Sequence, residues 1–422
     1  MTSKANGRAQ RATTVGLLLL LVAVLAAGWW SKARCIVDGD GWTDGEQYLA
    51  WCYTDIYPLW FSERLSEGAT PYVDHPVEYP VLTGAQMLIA DRVMRALPGP
   101  PSPTGFFHVT AFMGAALLVW TFLLLRAEGL SRTRLLRFVL APTLLVYAFM
   151  NWDPLAIALC VAAIVAHRAG RDVESGVLAG LGAAAKLFPV FLVPLVVAAR
   201  LAQGRRRDAL LHAGAAAGAW LVVNLPIMVV ANKGWRRFLE LNSERGPDWD
   251  SLWLFLQQRD ILTLSIAHVN LVSALVFLVG AVVIVWLGAR RRPPEEWWEL
   301  LLPVLAWFLL VNKVYSPQFS LWLLPLAALA LPSTPAFVAF AAFDVMVFFV
   351  RFPYLGGVGG LQPAPGYGLF AAVLLFRAAA LLWVIASAVR GRNADDLPDQ
   401  PGAEALGDGD AVSVPPVGPP VG

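Results

Sequence analysis

Apolar stretches separated by short polar breaks run along most of the chain. Runs of this length are typical of membrane-spanning helices, whereas an outer-membrane barrel shows short alternating strands. We therefore predict an all-α polytopic membrane protein with about twelve transmembrane helices. A thirteenth stretch, 80–97, carries three charged residues and is predicted as an outer-face or re-entrant helix. The twelve segments lie near 15–30, 105–125, 138–150, 154–167, 175–186, 187–200, 209–231, 268–289, 297–311, 317–332, 335–350 and 367–389.

Two apolar regions leave a choice of topology. Regions 138–167 and 175–200 are each compatible with one long tilted helix or with a hairpin of two short helices. Pro154 and Pro189 lie inside these regions, and proline disrupts a helix interior. We favour the hairpins, because they also place the loop that contains Arg168 on the cytoplasmic side, where basic residues are expected.

The composition excludes several classes of protein. Of the 422 residues, 58% are hydrophobic and 15% are charged, with a mean hydropathy of +0.60. A soluble domain has about 25% charged residues. The net charge of +2 and the lack of a basic stripe interleaved with aromatics give no indication of nucleic-acid binding. The sequence also contains no Walker loop, dinucleotide fingerprint, zinc spacing or serine nucleophile elbow.

The basic residues follow the positive-inside rule when residues 1–13 are placed in the cytoplasm. The short inner connections then hold 18 of the 32 basic residues, and the long outer loops 31–104 and 231–267 hold ten bases against 15 acids. The first apolar segment ends in Trp29-Trp30 rather than in small residues, which favours an anchor over a cleaved signal peptide. We therefore predict a multi-pass protein of the cytoplasmic (plasma) membrane with both ends inside.

The transmembrane domain is predicted to comprise residues 14–390, followed by a tail, 391–422. From Asn393 onward the tail has six acidic residues, no basic ones and many prolines and glycines. Such a segment cannot bury a core, and we predict that it is disordered in the cytoplasm.

The chain has three cysteines. Cys35 and Cys52 fall in the first outer loop, where the environment is oxidising, and are compatible with a disulfide or with two free thiols. An unstrained disulfide across a loop of this size contributes about 3 kcal/mol. Cys160 lies in an apolar run and is predicted to be a packing residue.

Asp55 in the first outer loop is the strongest catalytic candidate. It lies among Tyr53, Tyr57 and Trp60, and such surroundings desolvate a carboxylate and raise its basicity. A basic carboxylate suits removal of a proton from a sugar hydroxyl. The alternative is a loop aspartate that caps a short helix beginning at Ile56.

Asp74, His75 and Glu78 precede the apolar segment that starts at Tyr79. They are compatible with binding acceptor hydroxyls, with helping to hold a divalent cation, or with anchoring the start of a helix. Three groups at this spacing do not define a metal site. We predict no cofactor and leave a divalent cation open.

A polar break at Asn151-Trp152-Asp153 interrupts the apolar pattern. Ionisable groups at bilayer depth cost roughly 2.5–3.5 kcal/mol each on insertion, so they indicate functional sites. Asn151 and Asp153 are candidates to hydrogen-bond a sugar in a cavity that opens outward. The alternative is a turn before Pro154, which would open the next helix.

Lys186 and Lys313 are two of only five lysines, and both lie at the outer ends of apolar runs. A lysine can hold a phosphate as a point charge and stabilise that charge as the phosphate departs. The alternative is snorkelling toward the interface, which is common for lysine near helix ends. The polar neighbours Tyr315 and Gln318 favour the phosphate role.

The remaining polar positions are weaker candidates. Segments 235–239 and 248–254 of the second outer loop are amphipathic and are predicted to lie on the outer leaflet, where they either shape an acceptor groove or simply rest on the membrane. Arg351 resembles Lys186 and Lys313 as a weaker candidate for a phosphate contact, with pairing to Asp344 as the alternative, and Arg377 has no assigned role.

Five short motifs carry a resemblance to a known family. The chain resembles the integral-membrane glycosyltransferases of family 87, which are of GT-C type, over about residues 14–390. The motifs are Asp55-Ile56, Glu78-Tyr79-Pro80, Asn151-Trp152-Asp153, Ala185-Lys186-Leu187-Phe188-Pro189 and Asn312-Lys313-Val314-Tyr315-Ser316-Pro317-Gln318.

The resemblance implies a GT-C-like helical bundle that transfers a hexose, with mannose expected. The donor would be a polyprenyl-phosphate sugar, the acceptor an extracytoplasmic lipid or glycan, and transfer would invert the anomeric carbon. Asp55 matches by position the first-loop aspartate taken as the general base in GT-C enzymes. Lys186 and Lys313 are inferred from charge and location as the donor-phosphate contacts. The other predicted substrate contacts are Asp153, Asn151, His75, Glu78, Tyr315 and Gln318.

Two other functions compete with this prediction. A transporter or flippase of a lipid-linked saccharide would show inverted repeats and broken helices at the midplane, whereas this chain concentrates its polar residues at one face. A non-catalytic assembly factor is the third possibility. The partners expected for the predicted glycosyltransferase are a polyprenyl-phosphate-sugar donor, a glycolipid or glycan acceptor and membrane lipids, without nucleic acid.

Overall fold

The computed structural model describes residues 2–36, 42 and 44–391, and it describes side chains from residue 12 onward. All regular structure in this part of the chain is helical. Of the predicted disordered tail, 391–422, only Gly391 is among the described residues, and the side chains of Lys4, Arg8 and Arg11 lie outside them.

Six of the described helices are long and apolar enough to cross a membrane. Their apolar character was expected, but they are fewer than the twelve or so full spans predicted from the sequence. They are α1 (Thr2–Ala33), α5 (Pro103–Ala127), α11 (Arg206–Val230), α14 (Ile266–Ala289), α17 (Thr334–Val358) and α18 (Tyr367–Arg390).

The other predicted segments fold as shorter or broken helices. Three of them begin with a 3₁₀ turn that contains proline near its start: Phe188–Phe191, Pro294–Leu300 and Pro317–Trp322. The short α-helices are α2 (Glu46–Leu49), α3 (Ile56–Ser62), α4 (Val81–Ala96), α6 (Arg132–Val139), α7 (Pro142–Tyr147), α8 (Asp153–Arg168), α9 (Asp172–Ala185), α10 (Leu192–Ala202), α12 (Asn232–Glu244), α13 (Leu252–Gln258), α15 (Leu301–Val311) and α16 (Leu323–Ala330).

Ion pairs at one end of the molecule establish how the short helices run. Asp172, the first residue of α9, lies 2.7 Å from Arg200 in the last turn of α10. Arg168, the last residue of α8, pairs with Glu128 just beyond α5. Because these helix ends meet, α8 leads down to this end, α9 leads away from it and α10 returns. The structure therefore has hairpins in regions 138–167 and 175–200.

The first outer loop packs against the opposite ends of these helices. The Thr83 hydroxyl near the start of α4 donates to the Ala185 carbonyl at the end of α9, over 2.7 Å. The backbone N–H of Asp55 donates to the Met150 carbonyl over 2.8 Å. Loop one, the break at Asn151 and the end of α9 are thereby joined at one end of the helical bundle.

The cysteines occupy two different settings. Cys35 and Cys52 form a disulfide, with their Cα atoms 6.2 Å apart, so the structure selects the bonded alternative. The bond ties the segment after α1 to the chain that precedes Asp55. Cys160 is buried inside α8, as expected for a packing residue.

Candidate active site

A cavity of about 400 Å³ lies where the first outer loop meets the ends of the short helices. Its walls come from loop one, the break after α7, the turn after α9, α12, the segment after α15 and α17. The predicted site residues that line it are Asp55, Glu78, Asn151, Lys186 and Gln318.

The Asp55 carboxylate faces this cavity and does not act as a helix cap. Asp55 is the N-cap residue of α3, yet within the described chain its side chain accepts no capping hydrogen bond, and the Thr54 hydroxyl accepts from the Ile56 N–H instead. The carboxylate atom Oδ2 accepts from the Asn151 amide over 2.8 Å and from the Gln318 amide over 3.4 Å. Its partners are therefore residues brought from distant parts of the sequence.

The surroundings of Asp55 make its carboxylate more basic than usual. Burial among the aromatic and aliphatic walls raises its pKa above the ordinary value. Hydrogen bonds from Asn151 and Tyr53 and the positive charges of Lys186 and Arg351 oppose the increase. The desolvation effect is the largest, so Asp55 combines raised basicity with donors that keep the side chain in place.

Lys186 lies beside this carboxylate with long contacts to its neighbours. Its ammonium is 3.5 Å from the Asn151 side-chain oxygen and 3.6 Å from the nearest Asp153 oxygen. The rings of Tyr79 and Phe319 lie 5.0 and 5.5 Å from the same nitrogen. Contacts of this length are weaker than ordinary charged hydrogen bonds, so the ammonium retains capacity for an anion in the cavity.

Asp153 does not take the sugar-binding position expected from the sequence. It is completely buried and accepts a hydrogen bond from the Trp322 indole over 2.7 Å. Because it stands behind Lys186, it acts as the nearest counter-ion of that ammonium and does not form part of the cavity wall.

Lys313 and Tyr315 also lie away from the cavity surface. The Lys313 ammonium donates to the Arg245 carbonyl over 2.7 Å, and the Lys313 carbonyl accepts from the Asp248 N–H over 2.8 Å. Tyr315 is buried, with its hydroxyl 2.9 Å from the Ser320 hydroxyl and its ring under the Arg377 guanidinium. Lys313 therefore fastens the 245–248 segment, which forms part of the cavity wall, and does not itself face the cavity.

The polar residues Asp74, His75 and Glu78 of loop one separate in the fold. His75 lies 3.8 Å from Glu63 and away from the cavity, whereas Asp74 accepts from the Thr70 N–H over 2.8 Å. Glu78 lines the cavity. Burial and the negative charge of Glu78 raise the pKa of the neighbouring Glu63 to about 7. Across the described residues, no three histidine, cysteine, aspartate or glutamate side chains gather in a metal-binding arrangement.

A weaker candidate from the sequence, Arg351, forms a cationic part of the cavity wall. Arg351 faces the cavity, with its Nε 2.5 Å from Asp250 and its Nη2 3.5 Å from Asp248. The alternative pairing of Arg351 with Asp344 is not the one observed, since Asp344 lies 3.7 Å from Arg377. The sequence interpretation did not identify the counter-ions of Arg351 and Arg377, which are Asp248 and Asp250 in the second outer loop. The available signal was that two arginines inside apolar spans need such counter-ions.

The second outer loop closes one side of the site. In α12, Phe238, Leu241 and Asn242 line the cavity, and the Trp235 indole donates to Asn224 in α11 over 3.0 Å. Arg245, directly after α12, also lines the cavity. The amphipathic segment therefore forms part of the site wall as well as an exposed surface.

A known family matches the middle of the chain. The sequence model described as Glycosyltransferase family 87 matches residues 92–312, which is 221 of the 422 residues and hence just over half of the chain. The matched range includes Asn151 and Lys186, whereas Asp55 precedes it and Gln318 follows it. Comparison with curated protein sequences gives no significant match.

Comparison with solved structures gives distant similarities. The crystal structure of ArnT from Cupriavidus metallidurans bound to undecaprenyl phosphate matches at a TM-score of 0.46 and 14% identity, covering 89% of this chain and 77% of that one. The apo crystal structure of the Archaeoglobus fulgidus oligosaccharyltransferase matches at a TM-score of 0.38 and 12% identity, covering 91% of this chain and 57% of that one.

Proposed function

Because the chain belongs to glycosyltransferase family 87, we propose that it transfers a hexose, with mannose as the expected sugar, from a polyprenyl-phosphate donor to an extracytoplasmic lipid or glycan acceptor. The observation that carries the proposal is the pairing of groups in one cavity. A carboxylate with a raised pKa and a weakly partnered ammonium both contact Asn151. These are the two charges that displacement of a sugar from a phosphate needs.

Asp55 is the general base of the proposed reaction. The acceptor oxygen forms a bond with the anomeric carbon while its proton passes to the Asp55 carboxylate. The bond between the anomeric carbon and the donor phosphate oxygen breaks, and its electron pair leaves with the phosphate. Attack from the face opposite the phosphate inverts the anomeric carbon. A positioned base with raised basicity is suited to this transfer.

Lys186 is the proposed contact of the donor phosphate. A departing phosphate gains negative charge, and a fixed cation in a site with little water stabilises that charge. Arg351 also lines the cavity, and its guanidinium is held by Asp248 and Asp250. We assign the second phosphate contact to Arg351 in place of Lys313, because Lys313 directs its ammonium to a backbone carbonyl.

The lengths of the short helices support a membrane-embedded site. The end of the bundle where Arg168 and Arg200 form their ion pairs is called the arginine-rich end. From this end helix α9, which has 14 residues, rises about 21 Å to Lys186. A bilayer hydrocarbon core is about 30 Å thick. The cavity floor would then lie below the level of the outer headgroups, where a lipid-linked phosphosugar can reach it. The positive-inside rule favours an extracytoplasmic opening.

One experiment separates transfer from transport, and a second tests the identity of the sugar. The purified protein in liposomes is given radiolabelled polyprenyl-phosphate mannose and an acceptor lipid extract, and we expect a labelled glycolipid with an inverted linkage. Label that crosses the bilayer without a new glycosidic product would favour the flippase. Neither product nor movement would favour the assembly factor. Replacing the donor by a polyprenyl-phosphate glucose or arabinose tests the sugar assignment.

A further inference from the structure

The side chain of Asn151 uses all of its hydrogen-bonding groups inside the protein. The backbone N–H of Trp152 donates to Asn151 Oδ1 over 2.7 Å. Because a backbone N–H can only donate, this contact fixes which end of the amide is oxygen. The amide nitrogen then points its two hydrogens at Asp55 Oδ2 and at the Tyr79 hydroxyl, each over 2.8 Å.

This arrangement leaves Asn151 little capacity to bind a sugar. Both hydrogens are engaged, and the oxygen receives the Trp152 N–H and lies 3.5 Å from the Lys186 ammonium. A sugar hydroxyl could bind only by displacing one of these internal contacts. The direct substrate contact expected from the sequence is therefore less consistent with the geometry than a role through Asp55.

The backbone around both residues is rigidly joined. The Thr54 hydroxyl donates to the Phe149 carbonyl over 2.8 Å, and the Asp55 N–H donates to the Met150 carbonyl over the same distance. These hydrogen bonds fix the segment at Asp55 against the segment before Asn151, independently of the contact between the two side chains. A carboxylate has about four lone-pair positions, so the contact with Asn151 fixes its plane and leaves capacity for an incoming hydroxyl.

We propose that Asn151 is the positioning residue of the catalytic base, because its amide N–H holds the Asp55 Oδ2 atom in place. The inference rests on the proposed function. An amide donor favours the ionised carboxylate, so Asn151 also limits the increase in the pKa of Asp55. The other charged or titratable groups that face Asp55 are Tyr53, Tyr79, Glu78, Lys186, Arg351 and Lys32.

Two substitutions of Asn151 separate positioning from packing. Asn151→Ala removes the donors, and Asn151→Asp keeps the shape of the side chain but replaces its donors with a second carboxylate. We expect kcat to fall about tenfold or more in Asn151→Ala, the size typical of a hydrogen bond to a charged group, with little change in the donor KM. Asn151→Asp should be the less active of the two at neutral pH, although it is closer in shape to the native residue.

The pH dependence provides a readout that packing alone does not move. In Asn151→Ala the acid limb of kcat should move to higher pH, and in Gln318→Ala it should move less, because Gln318 donates over 3.4 Å. Asn242→Ala is the matched control, since Asn242 lines the cavity and directs its amide to the Phe238 carbonyl. Its limb should stay at the wild-type pH.

An infrared measurement keeps the test independent of the sugar reaction. The infrared band of the Asp55 carboxyl is the one that disappears in Asp55→Asn. The pH at which this band titrates should be higher in Asn151→Ala than in the wild type. If the titration moves but the wild type transfers no sugar, the proposed function fails, whereas the effect of Asn151 on Asp55 is confirmed. If the wild type is active and Asn151→Ala raises only a substrate KM with an unmoved limb, Asn151 binds substrate directly and the inference is overturned. An Asn151→Asp variant with wild-type kcat would overturn it as well.

Discussion

The Asn151 amide nitrogen lies 2.8 Å from Asp55 Oδ2, although the two residues are 96 positions apart in the sequence. One belongs to a loop and the other to a break between two apolar helices. The Lys186 ammonium reaches the same asparagine from a third element. Two polar interruptions of the apolar pattern and one loop carboxylate thus meet at Asn151.

Asp55→Asn should abolish sugar transfer while the protein remains folded. The substitution keeps the size of the side chain and removes the basic group, and a positioned general base contributes about 10²- to 10⁴-fold to the rate. The measurement is kcat on the lipid-linked donor, with the thermal unfolding midpoint as the control for folding. Wild-type turnover in this variant would remove Asp55 from the role of base.

The activity should depend on pH through an acid limb above the ordinary range of an aspartate. The pKa of Asp55 is raised by burial, so its carboxyl takes up a proton at a higher pH than an exposed aspartate, whose pKa is about 3.9. Activity is therefore full above the raised pKa and is lost as the pH falls through it. The check is kcat/KM against pH.

Glu63 is the control for this pH dependence, because its own pKa is raised to about 7 by burial and by Glu78. Glu63→Gln should leave the acid limb in place, and Asp55→Glu should move it. A limb that disappears in Glu63→Gln and is unchanged in Asp55→Glu would assign the titration to Glu63.

The sequence was informative where a polar residue interrupts an apolar run. Asn151 and Lys186 could be selected for this reason, because the cost of a polar group at bilayer depth is visible without knowledge of the fold. Asp55 was selected from its aromatic neighbours in a loop and from the family resemblance. Lys313 met the same criterion as Lys186, but its ammonium turns to the Arg245 carbonyl. Sequence spacing cannot show which way a long flexible side chain turns.

Ion-pair partners that are distant in the sequence could not be predicted from it. Asp250 lies 101 positions from Arg351 and 127 from Arg377, and both arginines contact it. Helix lengths were also difficult, because proline-containing 3₁₀ turns shorten segments that composition alone assigns to full spans. The hairpins were predictable for the same reason, since Pro154 and Pro189 mark the turns.

Lys186→Ala should weaken use of the donor about 10- to 100-fold in kcat/KM, the effect of losing a charged contact to phosphate. Because this variant takes the nearest cation away from the buried Asp153 carboxylate, the thermal unfolding midpoint is measured beside kcat/KM. Lys233→Ala is the matched control, because Lys233 is exposed in the first turn of α12. Unchanged donor affinity in Lys186→Ala would indicate that Lys186 only snorkels.

Asp250→Asn should lower the thermal stability of the detergent-solubilised protein. Asp250 is the shared counter-ion of Arg351 and Arg377, and breaking a buried ion pair costs about 3–5 kcal/mol. Asp260→Asn is the control in the same loop, since Asp260 is exposed and asparagine tolerates its left-handed backbone. Equal unfolding midpoints for the two variants would show that the Asp250 pairs contribute nothing measurable.

The side of the membrane on which the cavity opens can be tested with introduced cysteines. The native cysteines give a low background, because Cys35 and Cys52 are bonded and Cys160 is buried. Asn242→Cys places a thiol at the cavity, and Arg171→Cys places one between α8 and α9 at the arginine-rich end. In intact cells an impermeant thiol reagent should label only the first, and permeabilised cells should show both. The reverse pattern would turn the cavity toward the cytoplasm, where an acceptor outside the membrane could not reach Asp55.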